Sequence, residues 1–264
     1  MHYGQAGDVP LVLDIIAPAA STKLRPAVIW VHGGGWTAGD RSDGFNALFC
    51  PLLAQHGFFT VTIEYRLMPH ARFPAQIHDV KAAIRWLRAT APSYAIDPER
   101  IGIWGFSAGG HLAALAALTA DLPELEGTCG SAGYSSRVHA VAVGAAPIDF
   151  LDCTRPQRAF LADFLGGAAE DYPDVWRLAS PLYHVHEAAP PFLIAHSTLD
   201  ETIPFTHAER FVAALRAHHV PVEFVAIEGV YHNWTTQMEV PDGEEREQDL
   251  GPLALPFFQR HLCP

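Results

Sequence analysis

The sequence predicts an α/β fold, a mostly parallel twisted central sheet covered by helices on both faces, and three observations carry that expectation. Apolar runs such as "PAVIWVH" and "RVHAVAVGAAP" are strands of the kind buried on both sides. Segments of helical periodicity alternate with them along the chain. Of the 264 residues, 49% are hydrophobic and 17% charged, which is ample material for a large core. No internal repeat, low-complexity tract or Gly/Ser-rich linker divides the chain, so a single domain over 1–264 is expected.

The elements follow in order. "LVLDIIAP" (11–18) reads as the first strand, "PAVIWVH" (26–32) as the next, and "FFTVTIEY" (58–65), rich in β-branched and aromatic residues, as a third. Between the last two, residues 43–56 carry apolar side chains at helical spacing, with Gly57 as the stop. In "FPAQIHDVKAAIRWLRATA" (73–91), Ile77, Val80, Ile84 and Leu87 recur at spacings of three and four and form one helix face. "DPERIGIWG" gives a turn and a short strand, and Ser107 opens an alanine-rich helix suited to close packing on a sheet. Residues 137–147, 190–197 and 221–229 supply three more strands, and 204–219 a strong helix. A last helix is expected from near Asp242 to near His261, its acidic start "DGEERE" complementing the helix dipole.

Composition narrows the partners. A net charge of −12 leaves no basic patch to neutralise phosphates, so nucleic acid is not expected, and polyanionic substrates are disfavoured. No window reaches 18 consecutive apolar residues and no basic run suits a membrane surface. The N-terminus lacks a charged region followed by an apolar stretch of leader length, so a cytoplasmic location is expected, with secretion if a leader has been trimmed. Cys50, Cys129, Cys153 and Cys263 have no metal-type spacing; free thiols are expected, with Cys129–Cys153 the pair to bridge in an oxidising compartment.

The chemistry-bearing pattern is Gly105-Phe106-Ser107-Ala108-Gly109, set between a strand and a helix. That context makes G-x-S-x-G a nucleophile elbow: the serine adopts a strained turn, and the glycines remove Cβ atoms that would clash. Upstream, "VHGGGW" ends a buried strand. Three consecutive glycines suit backbone that must approach a substrate oxygen, so Gly34, Gly35 and Ala108 are the candidate oxyanion donors. Trp36 is read as a wall of the acyl site, with Gly33 beside it as a substrate-binding position. Activation needs a base and an orienting carboxylate. "AHSTLDETIP" offers Asp200 after one strand and "EGVYHNW" offers His232 after the next, in the chain order Ser, Asp, His. Asp149 and Glu201 are the alternative acids. Of the 15 histidines, His184, His186, His218 and His219 are read as surface or core residues, not as a metal site.

With those motifs in place, the chain resembles the α/β-hydrolase superfamily, and within it the small HGGGW-type carboxylesterases related to hormone-sensitive lipase and to bacterial feruloyl and acetyl-xylan esterases. The resemblance spans nearly the whole chain, through "YRLMPHARFPAQIHDVKAAIRWL", "AIDPERIGIWG", "SAGGHLAAL", "SSRVHAVAV" and "SPLYHV". It implies an α/β-hydrolase fold, the Ser107–Asp200–His232 triad, an oxyanion hole from Gly34, Gly35 and Ala108, and no cofactor or metal. Arg66 and Asp79 belong to the pattern as braces. Two departures stand out: His196-Ser197 where relatives read His-Gly, expected to shift the acid loop slightly, and "GAAPIDF" in place of a Gly-Pro-Thr-Asp-type turn. Only about residues 148–180 are left to build a cap, so short-chain or exposed esters, including saccharide-linked ones, are the expected substrates. An amidase of the kynurenine-formamidase type and an inactive binding domain of the same fold are the competing readings. The last strand and helix are candidates for homodimer contacts.

Overall fold

Every residue of β3 (Arg25–Val31) is buried, which a strand achieves only inside a sheet covered on both faces. The structure, a computed structural model, describes residues 1–18, 22–42, 44–232 and 251–263. In it, β3 lies between β4 (Phe59–Ile63) and β5 (Ile96–Phe106), parallel to both. The parallel array continues through β6 (Ala140–Gly144), β7 (Phe192–Ser197) and β8 (Val222–Ile227). At the other edge β1 (His2–Ala6) and β2 (Val9–Ile16) run antiparallel, and the order among the described residues is β1-β2-β4-β3-β5-β6-β7-β8. This is the α/β-hydrolase arrangement, a mostly parallel sheet with helices on both faces.

The helices are α1 (Gly44–Gln55), α2 (Ala75–Tyr94), α3 (Ala108–Leu118), α4 (Pro123–Glu126), α5 (Arg155–Leu165), α6 (Pro173–Leu178), α7 (Thr206–Ala217) and α8 (Gly251–Leu262). Strand alternation divides them between two cores. On β3, Ala27, Ile29 and Val31 face one core with Ile77, Ile84, Leu112 and Phe211, from α2, α3 and α7. Val28 and Trp30 face the other, with Leu53 of α1 and Phe257, Phe258 and Leu262 of α8. No helix among the described residues is long and apolar enough to cross a membrane.

Several elements differ from the sequence expectation. The first strand begins at Val9 and is preceded by β1, joined to it through Gly7 at φ +60°. Only Tyr3 of the five β1 residues is buried, so the strand carries no apolar alternation to read. α2 runs through Pro92 to Tyr94 and stops at Ala95, which takes the left-handed conformation. "DPER", expected as a turn, lies inside β5. Residues 148–180 hold α5 and α6. The expected start of the last helix near Asp242 lies outside the described residues. All four cysteines are free, Cys129 and Cys153 included.

Candidate active site

The backbone of Ser107 is bent to φ +54°, ψ −120°, between the end of β5 and the first residue of α3. A side-chain-bearing residue there costs roughly 1–3 kcal/mol, so the surroundings must enforce it. They do so sterically and by hydrogen bonding. A Cβ on Gly105 would lie 2.2 Å from the Gly109 carbonyl oxygen, and one on Gly109 would lie 2.1 Å from that of Val31. The Ser107 amide donates to Gly144 O at the end of β6 (2.8 Å), and Ser107 O accepts the first helical bond, from His111 (2.9 Å). The elbow is thus pinned between two strands and a buried helix.

The loops after β7 and β8 bring two partners to the same sheet edge. His232 Nε2 stands 3.0 Å from Ser107 Oγ, and His232 Nδ1 stands 2.7 Å from Asp200 Oδ2. With Nδ1–H donating to the carboxylate, Nε2 is left as the acceptor for the serine hydroxyl. Asp200 Oδ1 accepts the amides of Thr202 (2.9 Å) and Ile203 (2.8 Å). A second histidine, His196, lies 3.3 Å from Oδ2 while its Nε2–H is directed to Ile203 O at 2.9 Å. Burial alone pushes the Asp200 carboxyl up, but the close imidazoles of His196 and His232 outweigh it and hold the group well below the ordinary carboxylate range. Asp200 therefore stays charged against the imidazole.

Neither alternative acid is hydrogen-bonded to His232 among the described residues, although Asp149 faces the space beside Ser107. Asp149 is buried against Arg210 Nη2 (2.6 Å) and accepts the Leu151 amide (3.0 Å). Glu201 is exposed. Of the histidines set aside, His184 is bound to Leu178 O and His218 and His219 are exposed. No group of three or more His, Cys, Asp or Glu among the described residues is placed to hold a metal.

The glycine loop after β3 is shaped by its carbonyls. Gly34 has φ +100°, and a Cβ on it would sit 2.2 Å from Ala38 O. Gly34 O accepts the amides of Thr37 and Ala38, both at 3.0 Å. Tyr65 stacks on His32 with centroids 4.2 Å apart, donates to His32 O at 2.9 Å and reaches Gly33 O at 3.3 Å. His32 Nδ1–H also donates to Gly33 O, at 2.8 Å. With the carbonyls engaged, the amides of Gly34, Gly35 and Ala108 have no protein acceptor among the described residues. Gly33 lies against the elbow: a Cβ on it would stand 3.1 Å from Phe106 O and 3.5 Å from Ser107 Cβ. Arg66 and Asp79 brace the following segment: the Asp79 carboxylate takes the Arg66 amide (2.9 Å) and its guanidinium (2.8 Å).

A cavity of about 150 Å³ opens beside Ser107. Gly35, Ser107 and Ala108 line it together with Trp36, Phe150 and Phe160; Gly34 and His232 do not. Trp36 serves both as wall and as core, since it is buried and stacks on Phe164 with centroids 4.3 Å apart. His111, fully buried, stacks on Phe150 at 4.7 Å, meets Trp36 edge-on at 5.2 Å and donates to Ala179 O at 2.7 Å. Burial lowers its pKa to about 4, so it stays neutral. Gln157 closes one side: its Nε2 donates to Thr202 O (2.8 Å), tying α5 to the acid loop. Sequence reasoning missed His196, Gln157, Tyr65 and His111 as site residues; it noted only the His196-Ser197 departure beside the acid loop.

A model of the BD-FAE family matches residues 13–215. Esterase LipC of Mycobacterium tuberculosis is 38% identical over 246 residues, covering 91% of this chain and 60% of its own length. Esterase LipQ of the same organism is 35% identical over 244 residues, covering 87% and 55%. The chain thus spans little more than half the length of these curated relatives. Among solved structures, a truncated carbohydrate esterase from gut microbiota superposes with a TM-score of 0.78 at 29% identity, covering 94% of this chain and 87% of that one. Thermogutta terrifontis esterase 2, phosphoramylated by tabun, gives 0.78 at 27% identity, covering 97% and 89%.

Proposed function

The chain belongs to the BD-FAE family, and from that premise we propose that it is a serine carboxylesterase that hydrolyses short-chain or exposed carboxylic esters through an acyl-enzyme on Ser107. One observation carries the reading: the unbroken hydrogen-bonded line from Ser107 Oγ through His232 to Asp200. His232 takes the hydroxyl proton as Oγ attacks the ester carbonyl, and Asp200 stabilises the imidazolium. The carbonyl oxygen, now an oxyanion, is met by the amides of Gly34, Gly35 and Ala108, each donor worth about 2.7–4 kcal/mol in the transition state. On collapse, the C–O bond to the alcohol breaks and the alcohol leaves with the proton from His232. Water then repeats the sequence on the acyl-enzyme, His232 acting as base again, and releases the acid.

The cavity bears on the substrate. The leaving group must depart on the side of His232, which protonates it. We assign the cavity, lined by the nucleophile and two candidate oxyanion residues, to the acyl side. Its volume of about 150 Å³ suits a short acyl group. α5 is the wall that a minimal cap contributes.

Hydrolysis of p-nitrophenyl acetate and butyrate, measured beside hydrolysis of N-formylkynurenine, tests the reaction class. Faster turnover of the esters, with a fluorophosphonate probe labelling wild type but not Ser107→Ala, is the expected result. Preference for the formamide would replace the esterase reading with an amidase one. No turnover and no labelling would leave an inactive domain.

A further inference from the structure

Turnover through His232 requires that the loop carrying it keep its place, yet little backbone bonding holds the described residues just before it. Among the described residues, the backbone of residues 229–231 takes part in one hydrogen bond, in which Val230 O accepts from Ser197 Oγ. The neighbouring ties stop short of this stretch. Thr198 donates its amide to Ile227 O (2.9 Å), and its hydroxyl reaches Glu228 Oε2 (3.1 Å). Past it, the His232 ring touches Phe106, with centroids 5.4 Å apart, besides Asp200 and Ser107.

Ser197 is the last residue of β7 and fully buried. Its Oγ also accepts the Leu199 amide at 3.2 Å, one residue before Asp200. A single hydroxyl therefore bonds the backbone of the acid loop on one side and that of the base loop on the other. A glycine here would leave both backbone groups without this partner.

We propose that Ser197 is a positioning residue: its hydroxyl clamps the acid loop to the base loop and so fixes His232 between Asp200 and Ser107. The proposal rests on the triad reading above. Its effect is on the geometry of proton transfer, where a displacement near 1 Å costs on the order of 100-fold in rate, and it leaves the acyl cavity alone.

The test compares Ser197→Ala and Ser197→Thr with Ser136→Ala, a buried serine far from the site that donates to Glu126 Oε1. Two quantities are read: kcat and KM on a short-chain p-nitrophenyl ester, and deuterium uptake of the peptide spanning residues 228–232. The clamp predicts that Ser197→Ala lowers kcat by about 10- to 100-fold with KM within about twofold, while uptake at 228–232 rises. Ser197→Thr, which keeps a hydroxyl, recovers most of the rate, and Ser136→Ala changes neither quantity. Wild-type kcat and uptake in Ser197→Ala would overturn the proposal, as would an equal loss of kcat in Ser136→Ala, which would mark a general loss of stability. Should Ser197→Ala fail to fold, Ser197→Cys, a weaker donor of similar size, is read in the same way. If the wild-type protein hydrolyses no ester, the triad reading fails, and the exchange arm alone decides the clamp: greater uptake confined to 228–232 supports it, and unchanged uptake refutes it.

Discussion

At the scale of single residues, three side chains on three loops form one hydrogen-bonded line, so under the proposed mechanism losing any one removes more than its own contact. Ser107→Ala or His232→Ala is expected to lower kcat by about 10⁴–10⁶ on a short-chain p-nitrophenyl ester; a loss of less than tenfold in either would contradict the assigned roles. Because Asp200 is held charged well into acid, its protonation should add no second proton to the acid limb of kcat/KM; a two-proton slope would implicate the carboxylate. Ser107 was legible because its glycines lie within the motif, two residues to either side, although the contact that forces Gly109 comes from the distant Val31 carbonyl. Only the fold separates Asp200 from Asp149 geometrically, directing Asp149 to Arg210 and Asp200 to His232. His196 and Ser197 were not legible as site residues, since a histidine or serine at a strand end says nothing of the loop that folds against it from some 30 residues later.

At the scale of elements, α5 walls the cavity beside Ser107, the acyl side in the proposed mechanism. Phe160 on its cavity face is 40% exposed, so its ring contributes little to the core, and it stands 3.6 Å from where a Cβ on Gly35 would be. Phe160→Ala should therefore fold normally and raise kcat/KM for hexanoyl relative to acetyl p-nitrophenyl esters by about tenfold, the scale on which apolar pockets discriminate chain length. An unchanged chain-length profile would show that α5 does not limit the acyl group. The sequence marked residues 148–180 as extra material between strands but could not orient it. The register of α5 depends on the Gln157–Thr202 and Phe73–Phe164 hydrogen bonds, which join distant segments. β1 was lost for the opposite reason, having too little buried surface to leave a pattern.

At the scale of the whole molecule, the two-faced sheet was readable because strands buried on both sides need helices on both, and β3 shows each face taking alternate residues. Burial, full or partial, also bears on acid stability. His32, His78, His111, His139, His184, His207 and His261 are all held toward the neutral form, chiefly by burial. For such a group the unfolded chain binds the proton first, so its contribution is present above the unfolded value and is lost as the pH falls toward the folded one. For His111 that window runs from 6.5 down to about 4, and the loss amounts to roughly 3 kcal/mol. Denaturant titrations at several pH values should show stability falling through this window, and His111→Gln, which retains a donor for Ala179 O, should fall less steeply; parallel curves would show that His111 is not buried neutral. The most direct measurement of the central claim is mass spectrometry of protein quenched during turnover of p-nitrophenyl acetate, followed by peptide mapping. One acetyl group on Ser107 in wild type, and none in Ser107→Ala, is the predicted result; steady ester hydrolysis with Ser107 unmodified, or with the acetyl group on another residue, would contradict it.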